Sequence, residues 1–152
     1  MARQSAGILL FRKKEKELKV LLVHPGGPYF QRKDAGSWSI PKGEFEEPEA
    51  PLVAAIREFS EELGKPVEGP FTVLNPVKQK GGKMVYAWIA EGDIDPSTII
   101  CNTFQIEWPK GSGRMKAFPE IDKAGWFTIQ EAKLKILESQ RSFLEEFEAK
   151  AF

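Results

Sequence analysis

The chain has one cysteine, Cys101, and one histidine, His24, in 152 residues. One cysteine cannot close an internal disulfide, so a disulfide scaffold and a cysteine-built zinc site are both excluded. An excess of one charge is also missing. Lys plus Arg is 22 and Asp plus Glu is 22, giving a formal net charge of zero. A general nucleic-acid binder usually needs a basic surplus, so that class is not expected, although a local basic patch is not excluded. No apolar run approaches the roughly 20 residues of a membrane span. Residues 1–7 lack a signal peptide's apolar core, and residues 8–11 are too few to supply it. The composition itself is ordinary, 41% hydrophobic and 29% charged, which suits a packed core rather than disorder. At roughly 100–200 residues per domain, the expectation is one domain over residues 1–152, cytoplasmic and without a membrane anchor.

Along the chain, residues 5–11 and 18–24 are apolar runs separated by the charged stretch 12–17, which predicts a strand pair joined as a hairpin. Pro25-Gly26-Gly27-Pro28 starts a loop that runs to the short apolar piece Trp38-Ser39-Ile40. A helix is expected over residues 51–63, with Pro51 in its first turn and Gly64 just past its end. Its Leu52, Ile56, Phe59 and Leu63 share one face. Further strands are predicted at 71–77, 84–89, 104–108 and 126–128. One broken helix or two short ones should fill 129–152, burying Leu137, Phe143, Leu144 and Phe147. Alternating strands and helices predict a mixed α/β fold.

The helix also carries Glu58, Glu61 and Glu62 at i, i+3 and i+4. At about 100° per residue they cluster on one side, away from the apolar stripe. Like charges at this spacing repel, so something cationic should offset them. Arg57 could instead reach a neighbour such as Glu49. A hard divalent cation suits the three carboxylates, since Mg²⁺ takes oxygen ligands and commonly shares them with substrate phosphates. A solvated acidic face is the plainer alternative.

The spacing around these residues is more specific. Gly43, five residues, Glu49, seven residues, Arg57-Glu58, two residues, Glu61-Glu62, Leu63 and Gly64 resemble the Nudix box, with Phe59 in its apolar position. One departure is Lys65, where the family usually has an apolar residue; Val67 is expected to take over that packing. The resemblance implies an α/β/α sandwich with a mixed sheet. It also implies a Mg²⁺-dependent hydrolase, Mn²⁺ being possible, that cleaves a diphosphate linkage in a nucleoside diphosphate-type small molecule. It assigns metal binding to Glu58, Glu61, Glu62 and the carbonyl of Gly43. Glu49 and Arg57 are read as a structural ion pair. The general base is either a box glutamate, Glu58 or Glu61, or a glutamate in the loop before the last strand. Glu120 occupies that loop and is also a candidate ligand; Asp122 and Glu107 are weaker candidates.

Lys42 is either a phosphate contact or an ordinary surface lysine. Arg32, Lys33 and Arg114 are candidate substrate contacts, with Phe30 and Lys110 beside them, or else solubilising loop residues. Trp38, Trp88, Trp108 and Trp126 lie in apolar strands and are expected in the core. His24 and Cys101 are read as structural. A (d)NTP or a dinucleoside polyphosphate is the favoured substrate. ADP-ribose, a nucleotide sugar and an inositol pyrophosphate are the alternatives. A non-catalytic Nudix-fold nucleotide-binding module is the rival class, and the intact acidic trio favours the enzyme. The family also admits homodimers.

Overall fold

The computed structural model describes residues 3–79 and 81–150. Among these the elements are β1 (Gln4–Lys14), β2 (Glu17–Pro25), β3 (Lys42–Phe45), α1 (Pro51–Leu63), β4 (Thr72–Val73), β5 (Val77–Lys78), β6 (Met84–Glu91), β7 (Thr103–Glu107), β8 (Met115–Pro119), β9 (Ile121–Phe127), α2 (Ile129–Lys135) and α3 (Arg141–Ala149). Single 3-10 turns occupy Pro96–Thr98 and Glu138–Gln140.

The expected hairpin is tighter than the charged run suggested. Lys14 pairs with Glu17, so Glu15 and Lys16 alone make the turn, at φ 54° and 67°. Two positive φ values give the turn type whose twist matches antiparallel strands. β1 is the central strand. One edge pairs antiparallel with β3 at its start and with β2 at its end, while the other runs parallel to β6. β9 adds to β2, and β4 and β5 both add to β6, completing a mixed sheet. The strand expected over 71–77 is two short strands instead, because Asn75-Pro76 lies between them and Pro76 has no N–H to donate. Two strands escaped the sequence reading. β3 is only four residues, Lys-Gly-Glu-Phe, without an apolar alternation. β8 forms a separate ribbon with β7 that lies off the main sheet.

Alternate residues of β1 and β2 serve opposite faces. Leu9, Phe11, Val20 and Leu22 pack with Ile129, Ala132, Phe143, Leu144 and Phe147 of α2 and α3. Ala6, Ile8, Leu10, Leu21 and Val23 pack with Ala54, Ala55, Phe59 and Leu63 of α1. Both faces are covered, which is why these strands read as unbroken apolar runs. The architecture is the expected α/β/α sandwich. The two-helix form of the C-terminal segment is the one adopted, and Ala151 and Phe152 lie outside the described residues.

Three expectations about side chains need correction. Leu52 and Ile56 are half-buried, and Ala54 and Ala55 are fully buried in their place. Small residues at the contact bring α1 close to the sheet and rotate its glutamate edge down toward β3. Leu137 is half-buried at the start of the second 3-10 turn rather than inside a helical stripe. Trp108 lies on the β7–β8 ribbon, edge-on to Tyr29 with ring centroids 5.5 Å apart, and belongs to neither core cluster. Val67 packs against the α1 cluster, as expected from the Lys65 departure.

Candidate active site

α1 starts with Pro51 at its first positions and ends at Gly64, whose left-handed φ of 67° lets its N–H donate to Ser60 O at 2.7 Å. Phe59 and Leu63 anchor the helix with no exposed surface. This fixes the azimuth of the residues between them. Glu58 faces β3, where Gly43 lies. A β-carbon on Gly43 would come within 1.9 Å of Glu58 Oε2, so the carboxylate fills the space that any other side chain would need. Glu62 Oε2 accepts the backbone N–H of Lys42 at 3.1 Å. Glu61 points outward and is the most exposed of the three.

Arg57 organises the outer side. It grips Glu49 with two bonds, Nε to Oε2 at 2.7 Å and Nη2 to Oε1 at 2.8 Å. Its Nη1 donates to Glu58 at 2.9 Å and to both oxygens of Glu61 at 3.2 Å. The expected Glu49–Arg57 pair is therefore present, and Arg57 also partly neutralises the acidic edge.

Electrostatics separate the carboxylates. Burial pushes the Glu62 carboxyl up to about 8; the Lys42 N–H and its ammonium pull it down, and Glu58 and Glu120 push it further up. Glu58 is also raised, first by burial, against the pull of Arg57. Glu49 is held below the usual range by its bonds to Arg57. Lys42 is lowered by burial and then by the nearby Lys83 ammonium. A buried acidic edge that resists ionisation on its own is an environment in which a cation changes the balance.

A cleft of about 270 Å³ opens beside this edge. Lys42 and Glu62 from the box line it, with Glu120 from the connection between β8 and β9. Glu120 is placed by its backbone, donating to Asn102 O at 2.9 Å and accepting from Gly26 N at 2.8 Å. The rest of the lining is mostly apolar, with Phe30, Ile40, Ile121 and Leu137 among it and Ser37 and Ser39 as hydroxyls.

Glu58, Glu61, Gly43, Arg32, Lys33 and Arg114 are not part of that lining. Arg32 and Lys33 are exposed on the loop between β2 and β3, and Arg114 is exposed at the ribbon turn with Lys110. Glu107 closes the ribbon turn by accepting the N–H groups of Gly111 and Gly113. Asp122 faces His24. Ser37 had no motif to mark it, and Ser39 and Ile40 stood out only as part of the short apolar piece before the box. Their place follows from Gln140, which is buried in the second 3-10 turn and accepts the Ile40 N–H at 3.1 Å. Among the described residues, no trio of acidic, histidine or cysteine side chains converges as a preformed metal cage.

A family profile described as the NUDIX domain matches residues 1–147. The chain belongs to the NUDIX family. Membership makes it a pyrophosphohydrolase, an enzyme acting on acid anhydrides. A search of curated protein sequences found no match. Solved structures share the NUDIX fold over nearly the whole chain. The C. elegans Ap4A hydrolase binary complex is 23% identical, covering 98% of this chain and 97% of its own, at a TM-score of 0.67. The NUDIX domain of Shewanella oneidensis NrtR, complexed with ADP ribose, is 16% identical and covers 100% of this chain and 90% of its own, at 0.67. The M. smegmatis Nudix hydrolase RenU is 23% identical, covering 98% and 87%, at 0.64. Among the described residues, no helix is long and apolar enough to cross a membrane.

Proposed function

We propose that residues 1–152 form a single NUDIX hydrolase domain that uses Mg²⁺ to cleave a diphosphate linkage in a nucleotide-type substrate, a (d)NTP or a dinucleoside polyphosphate foremost. The observation that carries this reading is one cleft in which Lys42, Glu62 and Glu120 meet an apolar wall. The polar end suits a charged phosphate chain with its metal. The apolar end suits a flat base, for which Phe30, partly exposed, is the stacking surface.

The residues fit a hard divalent cation. The donors are all oxygen, from Glu58, Glu61, Glu62 and the Gly43 carbonyl, which is the preference of Mg²⁺ and Mn²⁺. Two of the carboxylates are raised by burial, and each is raised further by the charge of Glu120. A cation bound there would supply positive charge to the phosphoryl oxygens and acidify a water. Lys42 holds a phosphate oxygen, and its neighbour Lys83 adds to the positive field. Glu120, exposed in the cleft, takes the proton of the attacking water; Glu58 and Glu61 are the box alternatives. Arg57 and Glu49 keep α1 registered on the loop before it.

The two nucleotide-related neighbours, an Ap4A hydrolase and an ADP-ribose complex, show that this fold elsewhere holds nucleotides. ADP-ribose and nucleotide sugars are therefore the second reading. An inositol pyrophosphate suits the cleft less, because it brings no apolar surface to the Phe30, Ile121 and Leu137 side. A lone, half-buried Cys101 suits a reducing cytoplasm.

The test is a Mg²⁺-dependent hydrolysis panel with products identified by mass. It includes (d)NTPs, dinucleoside polyphosphates, ADP-ribose, nucleotide sugars, NADH and an inositol pyrophosphate, each beside Glu61→Gln. Cleavage of a nucleotide class that disappears in the variant is expected. Cleavage that persists in Glu61→Gln would refute the metal assignment. Silence across the panel would favour a nucleotide-binding module without catalysis.

A further inference from the structure

His24 is fully buried at the end of β2, and both ring nitrogens are engaged. Nε2 lies 2.6 Å from the carbonyl oxygen of Lys33. A carbonyl only accepts, so Nε2 carries a proton and donates it. Nδ1 lies 2.8 Å from Oδ1 of Asp122, in a second polar contact inside the same packed region. The ladder between β2 and β9 explains how Asp122 arrives there. His24 pairs with Lys123 and Pro25 with Ile121, so Asp122 is the extra residue of a bulge. A bulge re-aims a side chain that regular pleating would send elsewhere.

The two partners belong to two different segments that both line the cleft. Lys33 is in the 26–37 loop, which carries Phe30 and Ser37 into the lining. Asp122 is two residues beyond Glu120, at the start of the strand that carries Ile121. The loop has no sheet partner of its own over residues 26–37. Its middle and end are held by His24 at Lys33, by Trp38 Nε1 donating to Asp34 at 2.8 Å, by the Lys135 ammonium on the same carboxylate, and by Gly36 N donating to Leu134 O at 3.1 Å. At its start the loop meets the Glu120 segment through Gly26 N donating to Glu120 O at 2.8 Å, and from its middle the side chain of His24 adds a second route, from Lys33 to Asp122.

We propose that His24 is a positioning residue, its two hydrogen bonds setting the width of the cleft between the Phe30 loop and the Glu120 strand, and so the affinity for the base end of the substrate. The inference rests on the nucleotide reading of the cleft. His24 touches no reacting group, so its loss should act on binding more than on chemistry.

The experiment compares wild type, His24→Gln, Asp122→Asn and the double variant. Glutamine has one amide nitrogen where imidazole has two, so when its NH2 serves Lys33 O its oxygen is turned to the Asp122 carboxylate, which cannot donate to it. In the double variant the amide NH2 at 122 donates to the amide oxygen at 24, and the NH2 at 24 is left to donate to Lys33 O. For His24→Gln, KM should rise about tenfold or more with kcat within about threefold. The double variant should recover most of the KM loss. Backbone hydrogen exchange should quicken over 26–37 in the single variant and not in α1. Unchanged exchange in that loop overturns the proposal. So does a parallel fall of kcat and thermal stability without a KM change, which marks a purely structural role. Should wild type turn over nothing in the panel, the nucleotide reading fails separately, and the exchange data still decide whether His24 holds the loop.

Discussion

Gly43 has no side chain because Glu58 occupies the place of one. An alanine there would leave the backbone pairing with Ala6 intact but push the carboxylate aside. Gly43→Ala should lower kcat/KM about 100-fold, some 2.7 kcal/mol of transition-state stabilisation, with the melting temperature changing little; steady-state kinetics and calorimetry check both. Glu61→Gln and Glu62→Gln should remove most turnover while circular dichroism stays unchanged. Glu120→Gln should lose rate with less effect on Mg²⁺ affinity, read by metal titration; an unchanged rate would move the base into the box. Gly43, Glu58, Glu61 and Glu62 could be proposed because the box spacing is local and fixed, and the grip of Arg57 on Glu49 followed from it; Glu120 could be proposed only from its place in the loop before the last strand. The partners of His24 were not legible. They stand 9 and 98 positions away, and a bulge decides which residue of β9 turns toward the ring.

At the scale of elements, α1 was readable from its ends inward, since Pro51 and Gly64 mark a start and a stop that do not depend on tertiary context. Its buried face was less readable. Periodicity favoured Leu52 and Ile56, whereas close approach to the sheet selected Ala54 and Ala55. Phe59→Ala should cost roughly 3–5 kcal/mol in urea unfolding, and Val53→Ala, on the exposed side, less than about 0.5 kcal/mol. The 26–37 loop has its own electrostatic anchor. The Lys135 ammonium, and then the Trp38 indole N–H, hold the Asp34 carboxyl below its usual range. A depressed folded-state value stabilises the fold above the unfolded value of about 3.9 and loses that effect as pH falls through the lower, folded one. Asp34→Asn should therefore melt earlier than wild type at pH 7, and the gap should close progressively once the pH drops below about 4. A thermal melt series against pH would show this; a gap independent of pH would mean that the ionised carboxylate is not what stabilises the loop.

For the whole molecule, metal binding and stability are linked by mass action. Mg²⁺ at 100 times its dissociation constant should stabilise the fold by about 2.7 kcal/mol, and Glu62→Gln should abolish the shift. The two-sided burial of β1 and β2 was visible as runs without alternation, yet the order of strands was not, because parallel pairing of β1 with β6 joins segments about 80 residues apart. That pairing also bears on how the chain is made. β1 emerges from the ribosome before any partner, finds β2 at once, β3 some 30 residues later, and β6 only when Glu91 is out. Until then one edge of the central strand stays open, on a nascent chain whose α1 core cannot close. A stall before Glu91 would hand quality control a sticky, half-made sheet, so the central strand waits about 80 residues for the partner that shelters it.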